Sequence, residues 1–290
     1  MSDNDKPVLV LGSTGLQGGA TARALLKAGI PVRALTRDPD SGAARALAAA
    51  GATLVKGDLD DRESLRAAMA GVRGVFSVQT FVPPAGVEGE ERQGKAVADI
   101  AAQTSVPHLV YSSVEGAQHS SGIPHFDSKW HVEQHIRELG VPTTVLRPVY
   151  FMENLTGMTR GGGDGAVFQQ PLGADVPIQI VATADIGSVA AAAFARPADH
   201  IGRDIGVAGD ELTGSRIAET ISRVTGVPTR YEAQSIEQAR AFSDDLAAMF
   251  QWFADTGFDV DIPALRRDQP GLRSLDDWLR DSGWKPAAAG

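Results

Sequence analysis

Near the start of the chain, glycines recur at a spacing that can hold phosphate groups. Gly12, Gly15 and Gly18 follow an apolar run at 7–11 and open a helical pattern at 18–28. In such a strand–turn–helix unit the first glycine permits a tight turn, the second lets the backbone approach a pyrophosphate, and the third allows close helix–strand packing. The helix then offers free N–H groups and a positive dipole end to the phosphates. This arrangement predicts a dinucleotide site with contacts from Gly12, Thr14, Gly15, Leu16, Gln17 and Gly18.

The end of the second predicted strand carries the residues that distinguish NADP from NAD. An Asp or Glu at this point binds the ribose 2′-hydroxyl of NAD, whereas an Arg accommodates the 2′-phosphate of NADP. Here Arg37 directly follows the strand Val32–Thr36, and Asp38 comes one residue later, where it would cap a turn. We therefore predict NADP(H) as the cofactor. The alternative is that Arg37 is a solvated surface charge.

Four further residues follow predicted strands where a dinucleotide makes contacts. Asp58 and Leu59 come after the third strand, beside the expected adenine. Asp58 would either accept a hydrogen bond from the adenine amino group or cap the next helix. Gln79 and Thr80 come after the fourth strand, where we predict contacts to the nicotinamide half.

Strands and helices alternate along the first half of the chain. Apolar runs predict strands at 7–11, 32–36, 53–56, 72–78, 109–112 and 143–146, with helical patterns at 18–28, 42–50, 61–70, 90–104 and 129–139. This alternation predicts an α/β protein with a Rossmann-type, doubly wound parallel sheet. We assign the NAD(P)-binding domain to 1–155 and a smaller C-terminal α/β subdomain, intertwined with the first, to 156–290.

After Arg147 the regular alternation ends. A strand is predicted at 176–181, followed by Asp185 as the N-cap of a helix that runs to residue 194. Further helices are predicted at 214–225 and, as one or two segments, at 235–256. The GGGDG segment at 161–165 predicts a flexible loop, and 259–272 is predicted to be irregular. Ser274 and Asp277 resemble a capping box that opens a final helix.

Composition limits the classes of function. The 290 residues carry a formal net charge of -9 and include no cysteine, which excludes disulfides, thiolate catalysis and cysteine-bound metal. No dense Lys/Arg cluster is present, so direct nucleic-acid binding is not expected. The start of the chain lacks a signal-peptide pattern and no apolar run approaches the roughly 20 residues of a membrane span. We expect a cytoplasmic protein without membrane contact. His131 and His135 share a helix face, but no third ligand is apparent and no metal site is predicted.

These residues resemble the NmrA-like family of atypical short-chain dehydrogenases. The glycine triplet matches the family's Gly-x-x-Gly-x-x-Gly, and further similar segments lie at 36–39, 57–61, 111–113, 125–129, 147–154 and 274–279. The resemblance covers nearly the whole chain and is closest to the animal NmrA-like redox-sensor proteins. It implies an NADP-responsive Rossmann domain with a smaller C-terminal domain. The family contains non-enzymatic regulators that sense NADPH, and relatives that reduce quinones or other small molecules.

The resemblance also points to two residues for chemistry. Ordinary short-chain dehydrogenases use a Tyr as acid/base and, four residues later, a Lys that holds the nicotinamide ribose. Here Lys129 is present, but His125 stands at the Tyr position. A histidine can shuttle a proton near neutral pH, so His125 is either a working acid/base or a remnant in a protein that turns nothing over. Lys129 is predicted as a cofactor contact, with a plain surface lysine as the alternative.

Two functions follow. One is an NADPH-dependent reductase of a quinone or carbonyl compound, with the cofactor supplying the hydride. The other is a redox sensor whose NADP-bound form docks on a regulatory protein partner. The replacement of Tyr by His125 favours the sensor, whereas the presence of Lys129 is consistent with a reductase. The sequence leaves the oligomeric state open, a homodimer included.

Overall fold

A seven-stranded sheet organises the first part of the chain in the computed structural model, which describes residues 5–119, 121–162 and 164–287. Its strands are β1 Val8–Val10, β2 Val32–Thr36, β3 Thr53–Lys56, β4 Gly74–Ser77, β5 Leu109–Ser112, β6 Thr143–Pro148 and β11 Asp204–Val207. They lie in the order β11-β6-β5-β4-β1-β2-β3, and the pairs among β1 to β6 are parallel. From β1 the chain adds β2 and β3 on one side of the sheet and then β4, β5 and β6 on the other side, so the order of the strands reverses at β1. The predicted Rossmann-type, doubly wound sheet is thereby confirmed.

Helices alternate with the strands along this part of the chain. They are α1 Leu16–Lys27, α2 Gly42–Ala49, α3 Arg62–Met69, α4 Gly86–Gln103, α5 Pro124–Leu139, α7 Thr183–Ala195 and α8 Pro197–His200. Helix α5 begins five residues before the predicted start at 129. Its first residue is Pro124, whose fixed φ and missing N–H cost nothing in a first helical turn. His125 and Lys129 therefore lie on one helix, one turn apart.

The described residues form two compact units that alternate along the chain. Unit 1 comprises residues 5–119, 124–147 and 186–205, and unit 2 comprises 121–123, 148–185 and 206–287. The division of the sequence at residue 155 stays a prediction. Among the described residues, no helix combines the length and the apolar character needed to cross a membrane.

Unit 2 contains two small sheets. Their strands are β7 Tyr150–Phe151, β8 Thr159–Gly162, β9 Gly165–Gln170, β10 Pro177–Val181, β12 Asp210–Thr213 and β13 Thr229–Ala233. One sheet has the order β12-β10-β7 and the other β13-β9-β8. The helices of this unit are α6 Leu155–Met158, α9 Gly214–Thr225, α10 Ile236–Arg240, α11 Asp244–Asp255, α12 Ile262–Asp268 and α13 Leu275–Ser282. The capping box is confirmed: Ser274 and Asp277 bond reciprocally at the start of α13.

Three residues of the segment predicted as a flexible loop, Gly161, Gly162 and Gly165, lie in strands instead, and Asp164 lies in the turn between them. Gly162 pairs with Gly165 across the antiparallel strands β8 and β9, while Gly163 lies outside the described residues. A Cβ on Gly165 would lie 2.1 Å from the carbonyl oxygen of Pro228. This glycine therefore permits close backbone packing, which a composition-based loop prediction does not consider.

Two other predictions in the second half of the chain are wrong. Asp185 does not cap α7, because the helix begins two residues earlier and the buried carboxylate accepts a 2.8 Å hydrogen bond from the Arg273 backbone N–H. The 259–272 segment is not irregular throughout, since it contains α12. Asp261 caps that helix by accepting a 2.8 Å bond from the Ala264 N–H, and Pro263 lies in its first turn.

A buried histidine pair lies beside β5 and β6 in unit 1. The Thr144 hydroxyl donates to the His200 carbonyl at 2.7 Å, so its oxygen accepts the 2.9 Å bond from His108 Nε2–H. His108 Nδ1 then carries no proton, and it has no hydrogen-bond partner among the described residues. Burial, with smaller contributions from His200 and Arg73, lowers the pKa of His108 from 6.5 to about 4. The folded state therefore favours the neutral form of His108.

We expect His108 to make the protein acid-sensitive. The unfolded chain takes up the His108 proton as the pH falls through 6.5, whereas the folded chain does so only near pH 4. Stability is thus lost across this window, by at most about 3 kcal/mol from this residue. In urea unfolding between pH 7 and pH 4.5, His108→Gln should flatten the decline, and replacement of the exposed His119 by Gln should not. An equal pH slope in all three proteins would contradict the assignment.

Candidate functional site

The glycine loop brings α1 against the end of β1. Gly12 has a φ of +60°, and its carbonyl accepts a 2.9 Å bond from the Gly15 N–H, which closes the turn. A Cβ on Gly18 would lie 2.2 Å from the Gly12 carbonyl oxygen and 2.7 Å from that of Leu11. Only glycine allows this approach. The N-terminus of α1 is thereby held at the carboxyl end of the sheet, beside the switch point at β1.

Gly15 is exposed, in contrast to Gly18. Its backbone is extended, with φ -90° and ψ -179°, and a Cβ would contact only the Gly12 carbonyl, at 3.3 Å. Thr14 and Leu16, on either side, are exposed as well. Helix α1 has neither a side-chain cap nor an acidic residue in its first turn, so its first N–H groups and positive dipole end are available to an anion. The loop therefore fits a pyrophosphate.

Two side-chain hydrogen bonds connect this loop and the first turn of α1 to strands β2 and β5 of the sheet. The Ser13 hydroxyl donates to the Leu35 carbonyl of β2 at 2.7 Å. The hydroxyl of Ser112, at the end of β5, donates to Oε1 of Gln17 at 2.6 Å. Gln17 thus links the first turn of α1 to β5, a structural contact that the sequence prediction did not include.

Arg37 lies at the end of β2 with an exposed side chain. The turn after it is formed by Asp38, whose Oδ1 accepts a 2.9 Å bond from the Asp40 N–H, as predicted. Hydrogen bonds from Arg92 and Gln93 hold the pKa of Asp60 below its usual value, and the Arg37 charge acts weakly in the same direction. Arg37 therefore lies within electrostatic range of the end of β3, next to the predicted adenine contacts.

Asp58 does not cap α3, which excludes one of its two interpretations. The cap is Asp61, whose Oδ1 accepts bonds of 3.0 and 3.2 Å from the N–H groups of Glu63 and Ser64. Asp58 Oδ1 instead accepts from the Asp60 N–H at 3.1 Å, which orders the turn. Leu59 is partly buried against the apolar core beneath it. The adenine contact of Asp58 stays a prediction.

Two buried polar atoms without partners lie where β4 and β5 end. Gln79 is 6% exposed; its Nε2 donates to Ser77 Oγ at 3.0 Å, while its Oε1 has no partner in the described part of the chain. Ser113 Oγ, also buried, has none there either. Thr80, next to Gln79, is exposed. Because unpaired buried polar groups are costly, this edge of the sheet fits a ligand that supplies hydrogen-bond partners.

His125 and Lys129 both point into buried surroundings at the start of α5. The His125 ring stacks on Phe81, with centroids 4.3 Å apart and planes inclined by 23°. Lys129 is 8% exposed, and its Nζ lies 2.7 Å from Oε1 of Glu90 on α4. The interpretation of Lys129 as a surface lysine is therefore wrong.

Glu90 is a residue that sequence reasoning missed. It is completely buried, and its second oxygen accepts a 2.7 Å bond from the Ser128 hydroxyl. The available signal was its position on the buried face of α4, seven residues before Val97, where a carboxylate requires a partner. Burial, together with the nearby charge of Glu90, raises the pKa of the Tyr111 phenol well above its usual value. Tyr111 thus keeps its proton at neutral pH.

The histidines that share a face of α5 bond to carboxylates of α4. His131 Nδ1 lies 3.0 Å from Glu91, and His135 Nε2 lies 2.7 Å from Asp99. In the described part of the chain, no group of three metal-ligating side chains converges.

Part of the segment 147–154 has a structural role within unit 2. The Glu153 carboxylate accepts bonds from the Thr183 N–H at 3.1 Å, the Thr183 hydroxyl at 2.8 Å and Trp278 Nε1 at 3.2 Å. This glutamate connects the start of α7 with α13. Two of the segments that suggested the family, 147–154 and 274–279, therefore meet in a packing contact.

Comparison with known proteins agrees with this architecture. The NAD(P)H azoreductase of Xenophilus azovorans is 34% identical over 237 residues, which cover 80% of this chain and 79% of that protein. The solved structure of NmrA, a negative transcriptional regulator, in complex with NAD has a TM-score of 0.82 and 20% identity, covering 96% of this chain and 95% of the other. The NADPH-dependent quinone oxidoreductase of Escherichia coli, complexed with NADPH, has a TM-score of 0.79 and 23% identity, covering 96% and 100%.

The two structural similarities, both below 25% identity, establish a shared fold. The family model described as the NmrA-like family matches residues 4–278, almost the entire sequence. Together with the 34%-identical azoreductase, this match shows that the chain belongs to the NmrA-like family.

Proposed function

We propose that this chain binds NADPH at the carboxyl edge of the unit 1 sheet and uses it to reduce a small conjugated acceptor, such as a quinone, an azo compound or a carbonyl compound. The observation that carries the proposal is the glycine loop, where an uncapped helix N-terminus meets an exposed Gly15. The relationship to an NAD(P)H azoreductase over most of both chains favours a reductase.

Most of the predicted site residues have a task in this proposal. The first turn of α1 binds the pyrophosphate, and Arg37 pairs with the 2′-phosphate through charge-assisted hydrogen bonds. Gln79 and Thr80 line the nicotinamide half, and the Lys129 ammonium donates to the ribose hydroxyls. When bound, NADPH supplies a hydride to the acceptor. His125 donates the proton that completes the reduction, so that one quinone, one hydride and one proton give the hydroquinone.

A second candidate function is a redox sensor that binds NADP(H) without turning over a substrate and docks on a regulatory protein. One observation favours it: His125, which replaces the usual Tyr, is 6% exposed and stacked on Phe81. A proton donor in that position has restricted access to an acceptor. The two candidates share the cofactor site and differ in turnover.

Substitutions in the glycine loop test the cofactor site. Gly15→Val would place a branched side chain where the pyrophosphate lies, while the extended backbone accepts it and the one close contact is 3.3 Å. We expect NADPH binding to be lost with a native-like far-UV circular dichroism spectrum. Gly42→Val is the matched control, because a Cβ there meets nothing within 4 Å, and it should bind normally. A folded Gly15→Val protein that still binds NADPH would exclude the loop as the site.

Consumption of NADPH, followed by absorbance with a panel of quinones, azo dyes and aldehydes, separates enzyme from sensor. For a reductase whose donor is His125, His125→Ala should lower turnover roughly 10²–10⁴-fold and leave NADPH affinity almost unchanged. The exposed His119→Ala serves as the control. Turnover that survives His125→Ala would keep the reductase and assign the proton to water. No consumption above background with any acceptor would refute the reductase and support the sensor.

A further inference from the structure

The buried pair of Glu90 and Lys129 is not explained by packing. Exchange of a buried ion pair for apolar side chains of similar volume is often neutral or stabilising, because both charges must be removed from water. Other residues of the same two helices, such as Val97 on α4 and Val132 on α5, are apolar and buried. An apolar pair would therefore stabilise the fold at least as well. The Glu90–Lys129 ion pair thus points to a role other than stability.

The geometry around Glu90 fixes both of its oxygens. Oε1 accepts from the Lys129 ammonium and Oε2 from the Ser128 hydroxyl, each at 2.7 Å. Two consecutive residues of α5 are thus attached to one carboxylate of α4. The carboxylate cannot rotate without breaking one bond, so the position of the ammonium is determined by α4. Of its three N–H donors, one is used by Glu90, and the other two have no acceptor among the described residues.

We propose that Glu90 is a positioning residue, which holds the Lys129 ammonium so that its other N–H donors meet the hydroxyls of the nicotinamide ribose. This inference rests on the proposed function, because it requires a dinucleotide at the edge of the sheet. Glu90 itself touches no part of the cofactor and acts through Lys129. Its effect is therefore confined to the nicotinamide half of the ligand.

Because the effect is confined to the nicotinamide half, Glu90 variants should lose affinity for NADP⁺ and keep their affinity for a fragment without that half. A merely structural role would not produce this difference. The fragment 2′-phosphoadenosine 5′-diphosphate carries the adenosine, the 2′-phosphate and the pyrophosphate of NADP⁺ but lacks the nicotinamide ribose. Titration calorimetry should show that Lys129→Met weakens NADP⁺ binding about tenfold to hundredfold, as expected for a lost charge-assisted bond. The fragment should bind unchanged. Glu90→Gln should reproduce this selective loss, in part or in full.

Three further variants separate positioning from general damage. Glu133→Gln removes a second completely buried carboxylate of the same unit, which bonds Arg147 at 2.7 Å. This variant should bind both NADP⁺ and the fragment as the unmodified protein does. In the Lys129→Met background, Glu90→Gln should cause no additional loss of NADP⁺ affinity, because the group it positions is absent. If Glu90→Gln does not fold, Glu90→Asp keeps the charge but shortens the reach, and should show the same selective loss.

The outcomes are distinct. Equal weakening of NADP⁺ and the fragment by the Glu90 variants would make the residue structural and overturn the inference. Unchanged NADP⁺ affinity in a folded Glu90 variant, alongside a weakened Lys129→Met protein, would also overturn it while leaving the proposed function intact. If the unmodified protein binds neither ligand, the proposed function fails, and this inference fails with it.

Discussion

The contact between α1 and the end of β1 at Gly18 is the constraint on which the candidate site depends. Because a Cβ would lie 2.2 Å from the Gly12 carbonyl oxygen, the helix can begin so close to the strand only with glycine at this position. That approach places the uncapped N-terminus of α1 at the switch point of the sheet. The bonds from Ser13 to β2 and from Ser112 to Gln17 then hold the loop in place. The exposed surface at Gly15 is a consequence of this arrangement.

A second feature of unit 1 is a set of buried polar side chains at the ends of β4 and β5 and on helices α4 and α5. Gln79 and Ser113 retain atoms without partners in the described part of the chain, while Ser128 and Lys129 both donate to the Glu90 carboxylate. The unpaired atoms fit a ligand that supplies hydrogen-bond partners, and the carboxylate holds the single ammonium of Lys129 in place. If a dinucleotide binds at this edge, as proposed, it would be oriented at low entropic cost because the donor is already fixed.

The parallel sheet was predictable because its central strands β1, β4 and β5 are buried on both faces and appear as short apolar runs. The bounds of β2, β3 and β5 are those that the sequence predicts. The glycine loop was predictable because the spacing of its glycines in the sequence indicates a tight turn and a close approach of helix to strand. Contacts between distant residues were not: Glu90 lies 39 positions before Lys129. Asp185 was misassigned for the same reason, since Arg273 competes for the carboxylate that a cap requires. The helix α12 was overlooked although Asp261 and Pro263 form a local start signal, so that error lay in the interpretation.

The relative affinity for NADP⁺ and NAD⁺ tests the central claim, a dinucleotide site whose end at β2 recognises the 2′-phosphate. Titration calorimetry would give both dissociation constants for the unmodified protein and for Arg37→Ala, whose exposed side chain can be removed without loss of packing. A charge-assisted pair of roughly 1.5–3 kcal/mol predicts that NADP⁺ binds about tenfold or more tightly than NAD⁺, and that Arg37→Ala abolishes the difference. Equal affinities in the unmodified protein, or a preference that survives Arg37→Ala, would contradict the account.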